Sequence, residues 1–266
     1  TGGEPLLRPD IYEIIRYAAD RKFMVVLGTN GTMINRVNAE KIKAAGAHGV
    51  GISIDSMNPD KHNKFRGVEK AWEHSMNAFD ILNEVGVDFL VQMSVSDMNY
   101  KEIPEVVEFT EKIGAIAFNL YFLVCTGRGQ GNTDISNAAY EEALKMLYEQ
   151  QMKYKGRLMI NSKCAPQYKR VVYENDPESV YTRTYSGGCP AATHYSRISP
   201  EGNLTPCPFI EESVGNLKTR TFKDLWDNAP LMKQLRDRKG LEGKCGTCEF
   251  SAMCSGCRAR AFAETG

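Results

Sequence analysis

The chain has 266 residues, of which 42% are hydrophobic and 25% are charged, a composition typical of folded globular proteins. Its 33 basic and 33 acidic residues balance, so charge gives no reason to expect a nucleic acid or an anionic membrane as a partner. No apolar run approaches the roughly 20 residues that a membrane-spanning helix needs, and no secretory signal peptide is recognisable. We therefore expect a cytoplasmic protein that binds neither nucleic acid nor membrane.

Hydrophobic periodicity predicts alternating helices and strands over the first part of the chain. The predicted helices cover residues 9–20, 38–46, 69–85, 102–113 and 136–154, and the predicted strands cover residues 23–28, 49–54, 87–95 and 115–124. Short apolar strands between helices predict an α/β fold with a parallel sheet. An open sheet and a barrel both remain compatible with this pattern, and in both the functional residues lie at the carboxyl ends of the strands.

The character of the chain changes near residue 160. Residues 175–208 are rich in Pro, Gly, Ser, Thr and Tyr, and residues 221–239 predict one or two short helices interrupted at Pro230. Residues 243–258 have too few apolar side chains for a core of their own, which indicates that metal ligation stabilises them. The sequence therefore predicts two domains, residues 1–160 and residues 161–266.

Six of the eight cysteines lie between residues 189 and 257 and form a candidate metal site. They are Cys189, Cys207, Cys245, Cys248, Cys254 and Cys257, with Cys164 as a further candidate. The last four follow the pattern C-x2-C-x5-C-x2-C, in which two thiolates separated by two residues can hold one metal ion or one edge of a cluster. The spacing favours [4Fe–4S] ligation, with a four-thiolate zinc site and disulfides as the alternatives.

Two motifs carry a resemblance to a known family. Gly2-Gly3-Glu4-Pro5-Leu6 resembles the motif that ends the second strand of radical S-adenosylmethionine (SAM) enzymes. Residues 189–257, with C-x12-G-x4-C and then C-x2-C-x5-C, resemble the SPASM iron–sulfur domain. This resemblance extends over nearly the whole chain. It implies a partial (β/α)6 radical SAM barrel, with its first strand missing, followed by a cysteine-rich SPASM-type domain.

The resemblance also implies the cofactors, namely [4Fe–4S] clusters and SAM, and a reducing electron donor. In the family, a cluster held by C-x3-C-x2-C cleaves SAM to a 5′-deoxyadenosyl radical, which abstracts a substrate hydrogen atom. That pattern does not occur in these 266 residues, and in the family it precedes the GGE motif. We therefore expect the chain to be N-terminally truncated and to cleave no SAM by itself.

Four segments resemble a narrower group, the SPASM-type enzymes of haem d1 synthesis and of the alternative haem pathway. They are residues 122–129, 164–166, 198–202 and 254–261. Those enzymes remove or oxidise carboxylate side chains of an iron tetrapyrrole, so we expect an oxidoreductase with such a small-molecule substrate. A SPASM enzyme that modifies a ribosomal peptide or protein, and a zinc-stabilised module without enzymatic activity, are the alternatives.

The resemblance assigns the SAM-binding candidates to predicted strand ends. Glu4 would accept hydrogen bonds from the SAM ammonium group, and Gly2 and Gly3 would let the backbone approach it. Thr29 and Asn30 would face the cofactor, although Asn-Gly is also a frequent turn pair.

Further candidates follow the next strands. Ser53 and Asp55 alternate with apolar residues, so both lie on one face, where they suit ribose hydroxyls; a helix cap is the other role for Asp55. Ser94 is a candidate for the SAM carboxylate. Arg128, in a Gly-rich loop, could hold a carboxylate of SAM or substrate with two parallel hydrogen bonds.

Overall fold

A computed structural model describes residues 3–124, 126, 135–183 and 188–265. These residues form two compact units. The sheet unit comprises Gly3–Tyr121 and Ile135–Asn161, and the cysteine unit comprises the described residues of Phe122–Asp134 and Ser162–Gly266. Within the described ranges, every helix is too short or too polar to cross a bilayer.

The helices and strands are numbered in chain order. The helices are α1 (Ile11–Asp20), α2 (Arg36–Ala44), α3 (Pro59–Arg66), α4 (Ala71–Val85), α5 (Ile103–Lys112), α6 (Asn137–Lys153), α7 (Tyr168–Asn175), α8 (Val180–Arg183), α9 (Phe222–Asn228), α10 (Pro230–Arg236), α11 (Gly243–Gly246), α12 (Ser251–Cys254) and α13 (Arg258–Thr265). The strands are β1 (Val26–Thr29), β2 (Gly49–Ser53), β3 (Phe89–Val95), β4 (Ala117–Phe122), β5 (Met159–Lys163), β6 (Arg197–Ile198), β7 (Asn203–Thr205) and β8 (Gly215–Asn216). Short 3-10 turns cover Pro5–Leu7 and Tyr100–Glu102.

The main sheet has five strands in the order β1-β2-β3-β4-β5, and β2 pairs in parallel with both β1 and β3. Each new strand is added on the same side of the last one. A doubly wound sheet instead reverses its strand order at a switch point. The sequential order is therefore that of a barrel, and it confirms the α/β fold expected from the family resemblance.

One face of the sheet is completely buried beneath helices, as expected for parallel strands in an α/β fold. Val50 and Ile52 of β2 and Val91 of β3 have no exposed surface. Helix α4 packs Phe79 against Phe89 of β3, with the ring centroids 5.2 Å apart. The same apolar residues that predicted strands from their pattern thus form the core between sheet and helices.

The sheet differs from the sequence predictions in several details, among them strand β5, which was not predicted. Strand β1 begins at Val26 rather than at residue 23, and Phe23 and Met24 are 64% and 78% exposed. Helix α3 was not predicted, because only His62 of its eight residues is buried and it has no apolar stripe. Its start is nevertheless encoded by Asn58, whose side chain caps the Lys61 amide, and by Pro59 in the first turn.

The cysteine unit contains little regular structure. Strands β6, β7 and β8 form a small antiparallel sheet, and Pro230 begins α10 directly after α9, as the predicted interruption requires. One apolar cluster joins Leu204, Leu225 and Met232. A second apolar cluster contains the buried side chains of Cys189, Cys207 and Cys257.

Candidate functional site

The Glu4 carboxylate lies against the carboxyl end of β1. It accepts hydrogen bonds from the Thr29 hydroxyl at 2.6 Å and from the Asn30 amide at 3.0 Å. The Leu6 amide adds a longer contact of 3.3 Å. Gly3, directly before it, has φ +74° and no other atom within 4 Å of the place where a Cβ would lie. Three predicted residues thus converge, and they hold a carboxylate in one orientation beside open space.

The Asp55 carboxylate, which directly follows the β2 region, is almost completely buried, with 1% of the residue exposed. One oxygen accepts the Ser94 amide at 2.8 Å, and the other accepts the Nε–H of Arg66. The Asp55 amide donates to Nδ1 of His62 at 3.1 Å. Because both oxygens are used inside the protein, Asp55 fits a positioning role better than direct contact with a ribose, and the cap of α3 is Asn58 instead.

His62, Arg66 and Asn99 complete this network. Burial lowers the pKa of His62, which favours the neutral ring that can accept the Asp55 amide. The Asn99 side-chain amide donates to the Asp55 and Ser94 carbonyls at 2.8 and 2.9 Å. The network fixes the backbone of Ser94, while Ser53 and Ser94 themselves remain half-buried at their strand ends. None of these three partners was predicted, because they are distant in sequence and follow no motif.

Gly2 and Arg128 lie outside the described residues, as does Cys125. The structure therefore leaves the roles assigned to Gly2 and Arg128 as predictions.

Four cysteines form one set, here called the inner thiols: Cys164, Cys189, Cys207 and Cys257. Cys189, Cys207 and Cys257 are 5%, 9% and 7% exposed and share an apolar cluster, against which Cys164 packs. A hydrogen bond from Cys257 lowers the pKa of Cys189 to about 6 and raises that of Cys257. Burial raises the pKa of Cys164 to about 12 and that of Cys207 to about 11.

The other three cysteines form the outer thiols: Cys245, Cys248 and Cys254. They lie on or beside the short helices α11 and α12. Burial raises the pKa of Cys254, and the neighbouring Cys245 and Cys248 thiols raise it further. Cys248 is exposed, whereas Cys245 and Cys254 are half-buried.

The turn between the two sets explains why Cys254 and Cys257, only two residues apart, belong to different ones. Ser255 and Gly256 are both left-handed, with φ +56° and +62°. A Cβ at Gly256 would lie 2.9 Å from Sγ of Cys245. Cys254 therefore neighbours the outer thiols and Cys257 the inner ones. This geometry favours placing the two thiols of the second C-x2-C in different sites over one chelating pair.

The inner thiols have the donor chemistry that an iron–sulfur cluster requires, namely four soft sulfur ligands in an apolar pocket. In the described part of the chain, no three His, Cys, Asp or Glu groups converge tightly on one point where a single ion would sit. Beside Cys257, Nε of Arg258 is buried and has no acceptor among the described residues. A cluster sulfide would supply that acceptor, so the residues fit the group.

Comparison with known proteins agrees with this geometry. A model of the radical SAM superfamily matches residues 1–110, and one of the SPASM iron–sulfur cluster-binding domain matches residues 189–249. The AdoMet-dependent heme synthase of Methanosarcina barkeri is 38% identical over 274 residues, which cover 100% of this chain and 78% of that protein. The pre-heme d1 synthase of Dinoroseobacter shibae is 28% identical over 292 residues, and the match covers 100% of this chain and 70% of that protein.

A solved structure, Streptococcus suis SuiB bound to S-adenosylmethionine, matches all of this chain and 62% of its own chain, with a TM-score of 0.79. At 19% identity this likeness shows the shared fold. The predicted family, the fold and the enzymatic nature of the protein are therefore confirmed. The chain belongs to the radical SAM enzymes that carry a SPASM iron–sulfur domain, and it is closely related to the AdoMet-dependent heme synthases.

Proposed function

We propose that this enzyme removes or oxidises carboxylate side chains of an iron tetrapyrrole. The observation that carries the proposal is the 38% identity to an AdoMet-dependent heme synthase along the whole chain. Two further heme synthases, 34% and 33% identical over 276 residues, support the same substrate class. The enzyme would work in the cytoplasm with a reducing electron donor.

Glu4 is the residue best placed to bind SAM. Its carboxylate, held by Thr29 and Asn30, would accept the ammonium group of SAM at the end of β1. Ser53 would meet the ribose hydroxyls and Ser94 the SAM carboxylate, with the Ser94 backbone fixed by Asp55. When SAM and the cluster that cleaves it are both bound, they would supply the deoxyadenosyl radical.

The two thiol sets would hold two auxiliary clusters. The inner thiols supply four ligands, which is the number that a [4Fe–4S] cluster takes from its protein. The outer thiols supply three, of which Cys248 is exposed. The inner site would be shielded from solvent by its apolar cluster, and the outer site would be open to a reducing partner.

The test uses the purified chain, reconstituted with iron and sulfide in the absence of oxygen and then titrated with an iron coproporphyrin. We expect iron with matching acid-labile sulfide, and a shift of the Soret band on binding. An iron porphyrin that lacks carboxylate side chains is the matched control and should bind more weakly.

Each failure has its own meaning. Stoichiometric zinc in place of iron and sulfide would contradict both clusters. Normal iron content without a Soret shift would contradict the tetrapyrrole alone, and a peptide substrate would then become the better hypothesis. That second candidate has support from the subtilosin biosynthesis protein AlbA of Bacillus subtilis, which is 28% identical over 264 residues.

A further inference from the structure

Helices α7 and α12 of the cysteine unit pack through matched side chains. The rings of Tyr173 on α7 and Phe250 at the start of α12 are 6.3 Å apart, with 70° between their planes. Lys169 lies one turn before Tyr173, and Cys254 lies one turn after Phe250. Residues one turn apart share a helix face, so the same packing that joins the two rings sets Lys169 beside Cys254.

Lys169 is an unusual lysine because it is only 4% exposed. Burial lowers its pKa, and the neighbouring Cys254 thiol acts in the opposite direction. Lysine is among the residues that proteins bury least, because taking its charge out of water is costly. An anionic metal–thiolate group beside it would offset that cost.

The next residue is a useful contrast. Arg170 is also cationic and also lies on the side of Cys254, but it forms an ion pair with Glu174 at 2.8 Å. Its side chain is 24% exposed and that of Glu174 is 43% exposed. The positive charge of Arg170 is therefore screened by water, whereas that of Lys169 is shielded from solvent.

We propose that Lys169 raises the reduction potential of the cluster held by the outer thiols, an inference that rests on the proposed function. Reduction adds one electron from the donor and makes the cluster more negative. A buried ammonium group beside Cys254 stabilises this reduced form more than the oxidised one. Lys169 is thus a tuning residue that acts through its charge and binds no iron.

The experiment compares Lys169→Met with Lys169→Arg and Arg170→Gln in the reconstituted chain, by redox titration followed by electron paramagnetic resonance. The outer cluster is identified by the signal that Cys245→Ala removes. Lys169→Met should lower the ratio of reduced to oxidised outer cluster about tenfold at a fixed potential. This corresponds to a reduction potential lower by about 59 mV for one electron. Lys169→Arg should restore most of the ratio, and Arg170→Gln should change it by less.

Iron content separates the outcomes. If the unmodified chain binds no iron and sulfide, the proposed function fails and no potential can be measured. If iron is normal and Lys169→Met leaves the potential unchanged, or shifts it no more than Arg170→Gln does, the tuning role alone is wrong. A shift that Lys169→Arg reproduces in full would show an effect of packing instead of charge, and it too would overturn the inference.

Discussion

Asp55 connects the end of its own strand to β3 and α3. Its buried carboxylate accepts the Ser94 amide of β3 and the Nε–H of Arg66 on α3, and its backbone amide donates to His62 on α3. We expect Asp55→Asn to lower the free energy of unfolding by about 2–3 kcal/mol, because the buried carboxylate loses its charge-assisted hydrogen bond from the partly exposed Arg66 guanidinium. Chemical denaturation monitored by circular dichroism measures the change.

The matched control is Glu111→Gln, which removes an ion pair of comparable length. In this pair too the cation is an arginine: the Arg157 guanidinium group contacts Glu111 at 2.6 Å. Both side chains are substantially exposed, at 56% and 35%. Loss of this ion pair should lower the free energy of unfolding by less than about 1 kcal/mol. Equal effects of the two substitutions would show that Asp55 does not carry a buried network.

His62 makes the stability of the sheet unit depend on pH. Burial lowers the pKa of His62 in the folded state. As the pH falls, the unfolded chain therefore binds a proton at His62 before the folded chain does. Stability is unaffected by His62 above its unfolded pKa of about 6.5 and falls as the pH drops below it. The slope from this one group is at most about 1.4 kcal/mol per pH unit.

Between pH 7.5 and 5, the free energy of unfolding should therefore change less with pH for His62→Asn than for the unmodified chain. Chemical denaturation at each pH measures it. His74, which is exposed on helix α4, provides the control, and His74→Asn should keep the original slope. An unchanged slope in His62→Asn would mean that the buried ring does not resist protonation.

At the scale of elements, Gly188 sets the approach of one segment to another. A Cβ at this position would lie 2.1 Å from the Cys254 carbonyl oxygen, and its φ of +68° already disfavours a side chain. We expect Gly188→Ala to displace the segment before Cys189 and to lower iron retention severalfold, because the inner and outer thiols both flank this contact. Iron and sulfide analysis after gel filtration measures the loss.

Gly156→Ala separates steric overlap from backbone strain. Gly156 also has a positive φ, +80°, but nothing lies within 4 Å of the place where its Cβ would be. This substitution should cost only about 1 kcal/mol of stability and leave iron unchanged. If both variants retain iron equally, the close approach at Gly188 is not required for the metal site.

The elements that the sequence predicts well are those whose burial follows a period. Helix α4 was expected over 69–85 and runs Ala71–Val85, because Gly86 ends it in a left-handed conformation and its apolar residues face the sheet. Helix α3 was missed because its eight residues carry almost no apolar pattern. Strand β1 was expected three residues too early, because an apolar run such as Phe23-Met24 does not reveal whether anything covers it.

The candidate sites divide in the same way. The motifs single out the seven described cysteines and Glu4 as candidates, since those residue types carry the chemistry whatever the fold does, and these assignments stay predictions. Motif spacing could not assign Cys254 and Cys257 to different sets, because that depends on two left-handed residues between them. Nor could it find His62, Asn99 or Lys169, whose roles depend on burial beside residues that are distant in the chain.

At the scale of the whole molecule, we propose a distinct chemical task for each unit. The sheet unit presents hydrogen-bonding groups at its strand ends, suited to SAM, and the cysteine unit presents two sets of thiols. The cysteine unit has a small apolar core, and a cluster of buried cysteines takes the place of part of it. Its stability should therefore depend on iron more strongly than that of the sheet unit.

The division into inner and outer thiols leads to a prediction about iron stoichiometry. Cys257→Ala should abolish the inner cluster and Cys245→Ala the outer one, so each variant should retain about half of the iron and sulfide of the unmodified chain. Cys245→Ala should also make residues 243–258 sensitive to limited proteolysis, because that stretch has little apolar core. Cys257→Ala should spare the outer signal in paramagnetic resonance, and Cys245→Ala should spare the inner one. If either single substitution removes all of the iron, or if neither removes any, the two sets do not act as separate cluster sites.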